Sequence, residues 1–457
     1  MNVHPAPIHV AIFAAGLGKR MHSALPKALH LLAGKPLLSH VIDAARAIRP
    51  ATICVVYGTG GEMVRNALAA DDVVWVKQDP PLGTGDALRV ALTALPDDGV
   101  TVAIIGDVPL ISSDSLAELS RAAAKGLSVL TARVADPTGL GRIVRDANGG
   151  IRAIVEHRDA SEFERDIDEI NSGVLAAPTG LFRTWVKRLS NANTQGEYYL
   201  TDAVALAVAD GATVTGVAVA DADDVGGVND RLQLAHAERL LQTRRAKQLL
   251  LSGVWIADPA RFDLRGTLQC GRDVSIDVGC VFEGEVHLDD DVKIGAHCVL
   301  RNVRVARGTV VAPFSHLDDA SVGANCRIGP YARLRPATIL AEDVHIGNFV
   351  EVKASTIGVG SKANHLAYIG DSSVGSRVNV GAGTITCNYD GVNKHRTVIE
   401  DDVFIGSDTQ IVAPVTVRRG ATLGAGTTLT RDAPADQLTV SRSRQVSVPG
   451  WKRPVKK

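Results

Sequence analysis

Neither sign of charge dominates this sequence. Its 457 residues carry 49 Lys and Arg against 50 Asp and Glu, a formal net charge of −1. A dedicated nucleic-acid binder needs a basic excess to meet phosphate, so that class is set aside. Nor is there an apolar run long enough to cross a bilayer. The N-terminus lacks a cationic start followed by an apolar stretch, so neither a membrane span nor a secretory leader is expected. Metal-type cysteine spacing is missing too. Cys54, Cys270, Cys280, Cys298, Cys326 and Cys387 stand apart, as free thiols of a reducing cytoplasm would. Aromatic residues are few, at 4%, whereas glycines number 44, the balance that a solenoid of small corners needs. The length exceeds one ordinary core, so two or more domains are expected.

What is present is a rhythm. Leu288, Ile294 and Leu300 are apolar residues spaced by six. The phase returns at Val322, Ile328, Leu334, Leu340, Ile346 and Val352. It returns again at Ile405, Ile411, Val417, Leu423 and Leu429. A period of six fits neither an amphipathic helix nor a hairpin meander. It fits the parallel β-helix of hexapeptide repeats, each hexad giving one short strand with its apolar residue turned inward. Glycine follows many of these residues, as in Ile294-Gly295, Ile346-Gly347 and Ile405-Gly406, and is expected to supply a corner. Two features break the rhythm: a phase slip between Val352 and Ile369, and the polar insertion CNYDGVNKHRT at 387–397. Departures from a rigid repeat are where binding residues usually sit.

With three hexads to a coil, residues eighteen apart lie on adjacent rungs, about 4.8 Å apart. Arg335 and Lys353 have that spacing. Two stacked cations repel unless an anion joins them, so a phosphate site is expected.

The first half alternates strand and helix. Residues 8–15, 52–57, 73–76 and 102–105 read as strands, and 40–49, 61–69, 85–95 and 115–125 as helices. The order implies a mostly parallel sheet covered on both faces, with ligands at the carboxyl ends of the strands. Three polar stretches fall there: Gly16-Leu17-Gly18-Lys19-Arg20, then Gln78 with Leu82-Gly83-Thr84-Gly85, and Gly106-Asp107-Val108-Pro109. Backbone N–H groups of the first loop can approach a phosphate, with Lys19, Arg20 and Lys27 to neutralise it. Asp107 suits Mg²⁺, which prefers carboxylate and phosphate oxygens. Residues 230–251 read as one long helix, capped by Asn229-Asp230 and stopped at Gly253, a rigid arm between domains.

The motifs AAGLGKRM, Pro26-Lys27, LGTG and GDVPL resemble the sugar nucleotidyltransferases. Nearly the whole chain is similar to the bacterial bifunctional N-acetylglucosamine-1-phosphate uridylyltransferases/glucosamine-1-phosphate N-acetyltransferases. The matching stretches are NTQGEYYLTD (193–202), DPARFDLRGT (258–267), IGPYARLRP (328–336), GNFVEVKAS (347–355), VGAGTITCNYDG (380–391) and DVFIGSDTQIVAPVTV (402–417).

The resemblance implies an α/β fold of three parts. A Rossmann-like uridylyltransferase domain spans 1–229, a linker helix 230–252, and a left-handed β-helix acetyltransferase domain with its tail 253–457. It implies that Phe13, Ala14, Ala15, Gly16, Lys27, Gln78, Gly83, Thr84, Ile105, Gly106, Asp107 and Asn229 meet UTP or UDP-N-acetylglucosamine, and that Gly141, Glu156 and Asn171 contact its sugar. Asp107 and Asn229 would hold Mg²⁺. In the second domain Arg335, Lys353, Tyr368 and Asn379 would bind glucosamine-1-phosphate, with His365 as general base. Ala382, Asn388, Tyr389, Ser407, Ala425 and Arg442 would line the acetyl-CoA site. The expected assembly is a cytoplasmic homotrimer, with acetyltransfer sites between subunits and no nucleic-acid or membrane partner. Its product, UDP-N-acetylglucosamine, would feed peptidoglycan and lipopolysaccharide synthesis. Three positions depart from the family: Lys19 stands for Thr, Ile105 for Tyr and Asp86 for His. The competing expectation is a single-activity sugar-1-phosphate nucleotidyltransferase whose β-helix only trimerises.

Overall fold

A computed structural model describes residues 6–16, 18–58 and 60–456. Leu17 of the glycine-rich loop and Lys457 of the basic tail fall outside them. The chain divides into two compact units, Met1–Leu241 and Gln242–Lys457.

The first unit is built on a nine-stranded sheet. In chain order its strands are β1 (Ile8–Ala14), β2 (Thr52–Tyr57), β3 (Val73–Lys77), β4 (Val100–Ile105), β5 (Gly126–Arg133), β6 (Arg142–Arg145), β7 (Ile151–Val155), β8 (Glu169–Pro178) and β9 (Thr213–Ala218). The path runs β9-β5-β8-β4-β1-β2-β3, and the β6–β7 hairpin attaches through β8. Strands β4, β1, β2 and β3 are mutually parallel, and β8 is the antiparallel member between β4 and β5. Val10, Ala11 and Ile12 of β1 have no exposed surface, as a central strand covered on both faces requires. Helices Leu37–Ala47, Thr84–Leu92 and Ser113–Ala122 connect the parallel strands. They lie where the alternation places them, with ends shifted by a few residues.

The long helix runs from Arg231 to Leu251. Its first turn is capped by Asp230, whose carboxylate accepts from the Gln233 N–H at 2.8 Å. It stops at Gly253, held at φ 98°.

The second unit is one continuous ladder of short parallel strands, from Trp255–Ile256 to Leu438–Thr439. Its in-phase apolar residues point inward: Leu300, Leu334, Val352, Ile405, Ile411 and Leu423 are fully buried. Most rungs are offset by seventeen or eighteen residues, as in Arg333 opposite Glu351 and Lys353 opposite Gly370. The phase slip between Val352 and Ile369 is one of the seventeen-residue coils. The insertion lengthens a coil to twenty-five residues, from Asn379 to Phe404.

The glycines do not serve as expected. Left-handed backbone at the corners falls mostly to Asp291, Asn325, Asp343, Asp402 and Asp408, and to His297, Phe314, Tyr331 and Phe349. Asp and Asn tolerate that region because their short side chains bond locally. Gly295, Gly347, Gly406 and Gly424 do not have a positive φ. They are required by close approach of the next coil: a Cβ on Gly406 would lie 2.5 Å from the Ala425 nitrogen and 2.8 Å from the Leu423 oxygen. Gly329, at φ 92°, is the exception.

Gly406→Ala should therefore destabilise the second unit by about 1–3 kcal/mol, read as a lower denaturation midpoint. Asp343→Gly, at a left-handed corner, should be tolerated far better.

Two candidate active sites

In the first unit, three loops at the carboxyl ends of β1, β3 and β4 close around a cavity of about 350 Å³. Its walls include Phe13, Ala14, Ala15, Gly16, Lys27, Gln78, Gly83, Thr84, Ile105, Gly106 and Asp107, together with Glu197. A second cavity of about 550 Å³ shares Ile105 and Asp107 and adds Gly141, Glu156, Asn171 and Asn229. Every first-unit residue named by the resemblance thus lines one of two adjoining cavities, and Asp107 belongs to both. Of the three basic residues near the glycine-rich loop, Lys27 lines the cavity. Lys19 and Arg20 are exposed on the turn Lys19–Met21.

The first loop folds back because residue 18 is glycine. Its φ is 61°, and a Cβ there would sit 2.6 Å from the Lys27 Cβ. The Lys27 ammonium donates to the Asp107 carboxylate and, at 3.1 Å, to the Asn229 side-chain oxygen. Both ion-pair side chains are only 14% exposed. The two oxygens therefore converge on one cation position, and no trio of His, Cys, Asp or Glu gathers among the described residues. This donor set fits Mg²⁺, which takes one or two protein oxygens and completes its shell with substrate phosphate and water.

The loop after β3 is held from both sides. Gly83 has φ 106° and a Cβ would strike the Tyr198 carbonyl at 2.6 Å. Tyr198 N–H donates to the Leu82 oxygen at 2.8 Å, and Leu200 N–H donates to the Thr84 hydroxyl at 3.0 Å. Glu197 enters the wall through this segment. Sequence reasoning missed it, although the NTQGEYYLTD motif held the signal.

Around the larger cavity, the Asn171 N–H donates to the Gly141 carbonyl at 2.9 Å. Buried Arg142 holds the backbone of that strand pair, donating to the carbonyls of Leu140 and Arg165. The Thr201 hydroxyl donates to Glu156 at 3.2 Å. Burial raises the Glu156 carboxyl above the usual range, the Thr201 bond opposes that, and Asp202 and Asp159 add to it.

In the second unit the named residues form two groups. His365 stands exposed on the strand Lys362–Gly370, next to Asn348 on the neighbouring rung. Its Nδ1 lies 2.9 Å from the Asn348 side-chain oxygen. With Nδ1–H donating there, Nε2 keeps its lone pair. Asn348 was not foreseen. One corner column continues from this rung: the Gly383 N–H donates to the Leu366 oxygen, Asp408 to Ala382, and Gly426 to Ser407. Arg442 donates to the Ala425 oxygen at 3.2 Å. Ala382, Ser407, Ala425 and Arg442 therefore follow His365 along the axis.

The other group is cationic. Arg335 and Lys353 occupy adjacent rungs, joined by the Arg335 N–H donating to the Val352 oxygen at 2.8 Å. Their side chains do not face one another bare. Arg335 pairs with Glu351 at 2.8 Å and Lys353 with Asp371 at 3.4 Å. Asn388 donates to Asp371 and reaches the Tyr368 hydroxyl at 3.4 Å. Lys394, from the inserted loop, joins them. Contact with Lys353 and that neighbour's charge hold it below the usual lysine range, while the same contact raises Lys353. Three cations against two carboxylates leave an excess of positive charge that suits an anion. Lys394 was missed within the insertion. Asn379 lies on the adjacent flat face, opposite Lys362 and Phe404. Tyr389, in the inserted loop, bonds through its hydroxyl to the Gly391 carbonyl.

All six cysteines are free. Burial pushes Cys54, Cys270 and Cys298 up to about 12, so these thiols are inert.

Residues 10–166 match the MobA-like NTP transferase domain. Residues 264–363 match the GMPPB C-terminal domain, and residues 396–431 match the bacterial transferase hexapeptide (six repeats). The chain is 60% identical over 450 residues to a protein of Herminiimonas arsenicoxydans named "Bifunctional protein GlmU", across 98% of this chain and 99% of that one. Proteins of the same name from Cupriavidus pinatubonensis and Nitrosospira multiformis are 59% and 58% identical, each over 98% of this chain.

The raised carboxyl gives a sign to test. Folded Glu156 keeps its proton to higher pH than the unfolded chain does, so ionising it costs stability as pH rises through that interval. Glu156→Gln should raise the melting temperature at pH 7.5, and the gain should shrink as pH falls toward 4.

Proposed function

We propose that this chain, which belongs to the family of bifunctional GlmU proteins, carries out two transfer reactions, one in each unit. The observation that carries the reading is the separation of two chemically different sites: a carboxylate–lysine cavity in the first unit and a histidine column beside an anion site in the second. On this reading residues 1–229 form the uridylyltransferase domain, 230–252 the linker and 253–457 the acetyltransferase domain.

In the second unit the neutral 2-amine of glucosamine-1-phosphate attacks the thioester carbon of acetyl-CoA. A C–N bond forms, the C–S bond breaks and CoA leaves as the thiolate, which takes up a proton. The amine is mostly protonated at neutral pH, so a base is needed. His365 Nε2 accepts that proton, with Asn348 fixing the tautomer. Arg335, Lys353 and Lys394 hold the sugar phosphate by charge-assisted bonds. Tyr368 and Asn379 meet the sugar. Ala382, Asn388, Tyr389, Ser407, Ala425 and Arg442 receive acetyl-CoA.

In the first unit the phosphate of N-acetylglucosamine-1-phosphate attacks the α-phosphorus of UTP in line, and pyrophosphate leaves. The nucleophile is already an anion, so the protein's task is placement and charge. Phe13 to Gly16, Gln78, Gly83 and Thr84 hold the nucleotide, while Gly141, Glu156 and Asn171 orient the sugar. Lys27 offsets phosphate charge. Mg²⁺ held by Asp107 and Asn229 would supply further stabilisation of charge at the reacting phosphates.

A homotrimer formed through the second unit belongs to this reading. An exposed ladder of His297, Phe314, Tyr331 and Phe349, with centroids 5.0–5.4 Å apart, leads to Leu366, which is 64% exposed and adjoins His365. A contiguous apolar column of this kind supports packing against another copy. No helix among the described residues is long and apolar enough to cross a membrane. Free thiols and soluble co-substrates fit the cytoplasm.

Asp107→Ala should lower pyrophosphate release from UTP and N-acetylglucosamine-1-phosphate by at least about a hundredfold, while leaving acetyl transfer intact. His365→Ala should do the reverse to CoA release, by about 10²–10⁴-fold. Either variant acting on both reactions, or neither, would refute the separation. If CoA release never depends on glucosamine-1-phosphate, the β-helix only trimerises. Phe314→Glu, within the ladder and away from His365, should shift the sedimenting species from trimer toward monomer.

A further inference from the structure

Gln78 is committed inside the protein. Its side-chain NH₂ donates to the Gly83 carbonyl at 3.1 Å and to the Asp86 carboxylate at 2.7 Å. Both partners are acceptors, so the amide cannot turn over without setting oxygen against oxygen. Asp86 is itself fixed: it is 5% exposed and pairs through its other oxygen with Arg89, whose guanidinium lies 5.5 Å from the Tyr198 ring centre. Tyr198 in turn is bonded to the backbone of Leu82 and Gly85. With both protons used, the atom that Gln78 has left to offer the cavity it lines is Oε1, an acceptor.

An acceptor repels phosphate oxygens. Gln78 must therefore face a donor of the nucleotide, and the apolar and backbone wall of Phe13, Ala14, Gly83 and Ala87 around it suits a flat base. We propose that Asp86 is a positioning residue that selects the base: it locks the Gln78 carbonyl toward the cavity, so that a pyrimidine carrying N3–H is accepted and one carrying an N3 lone pair is refused. Uracil has the proton and cytosine does not. Cytosine also carries a 4-amino donor where uracil has a carbonyl acceptor, and the Gln78 carbonyl reads the difference at N3. A site built to satisfy a hydrogen bond rejects a ligand lacking the partner much more strongly than it rejects a change of shape. The inference rests on the nucleotidyl-transfer reading of this cavity.

Asp86→Asn tests it without loss of volume. Arg89 holds the oxygen of the introduced amide, which turns the NH₂ of that amide toward the Gln78 NH₂; donor then meets donor, and Gln78 loses its fixed orientation, held only by the Gly83 carbonyl. Steady-state rates with UTP and with CTP, each at saturating N-acetylglucosamine-1-phosphate, give the ratio of kcat/KM. The wild-type chain should strongly prefer UTP. Asp86→Asn should lower the UTP/CTP ratio at least tenfold, chiefly through KM for UTP, with KM for the sugar phosphate unchanged. Asp86→Leu, which removes the acceptor altogether, should lower it as well. A ratio within twofold of wild type in both variants, with pyrophosphate release retained, would reduce Asp86 to a structural role. Absence of pyrophosphate release from UTP in the wild type would overturn the nucleotide reading, and this inference with it.

Discussion

Parallel backbone pairing is the constraint on which both units rest. Strands that run the same way must be joined by crossovers, and their ends collect on common edges. In the first unit this brings the carboxyl ends of β1, β3 and β4 to one rim, so loops distant in the chain meet over Asp107. In the second unit each coil pairs with the next in a nearly fixed register, and residues one coil apart become neighbours. Chemistry can then be written as a column. Lys353 over Arg335, and Ala382, Ser407 and Ala425 beyond His365, are products of that register. The same closeness excludes a Cβ at Gly406.

Much of this was legible in the sequence, because a hexad pattern reports which residues turn inward and parallel α/β alternation reports where loops end. Less legible were interactions that depend on side-chain reach. The glycines after inward residues look like corner residues, yet Gly295 and Gly406 answer to the neighbouring coil, whose position a one-dimensional pattern does not contain. Lys394 is an ordinary lysine in a polar insertion until the loop folds onto Lys353. Asn348 lies seventeen residues from His365, one coil away, but the eighteen-residue spacing read from the strict hexads would have paired His365 with Gly347. The departure at Asp86 was visible as a substitution. Its meaning came only from the bonds that tie it to Gln78 and Arg89.

The electrostatics of the two sites differ in kind. In the first, Lys27, Asp107 and Asn229 satisfy one another within the protein, so a buried carboxylate is not left unpaired before substrate arrives. In the second, Glu351 and Asp371 offset only part of the charge of Arg335, Lys353 and Lys394. The excess is expressed in Lys394, whose proton is held less tightly than usual. A phosphate arriving there would relieve cation repulsion. Binding at the first site has to compete with bonds already made, whereas binding at the second relaxes a strain in charge.

This difference also bears on assembly. The first site is concave: loops wall it on several sides and can exclude water from a charged reaction. A β-helix is convex, and His365 stands on its outside, exposed beside Leu366. A base on a convex surface works in bulk water unless something covers it, and a thioester attacked there has no enclosed pocket. The stacked rings of Phe314, Tyr331 and Phe349 run along that same corner to the rung of His365. Burying them against a second copy would exclude water and wall the histidine with one contact. On the proposed reading uridylyl transfer would be complete within one chain, and acetyl transfer would be a property of the assembly.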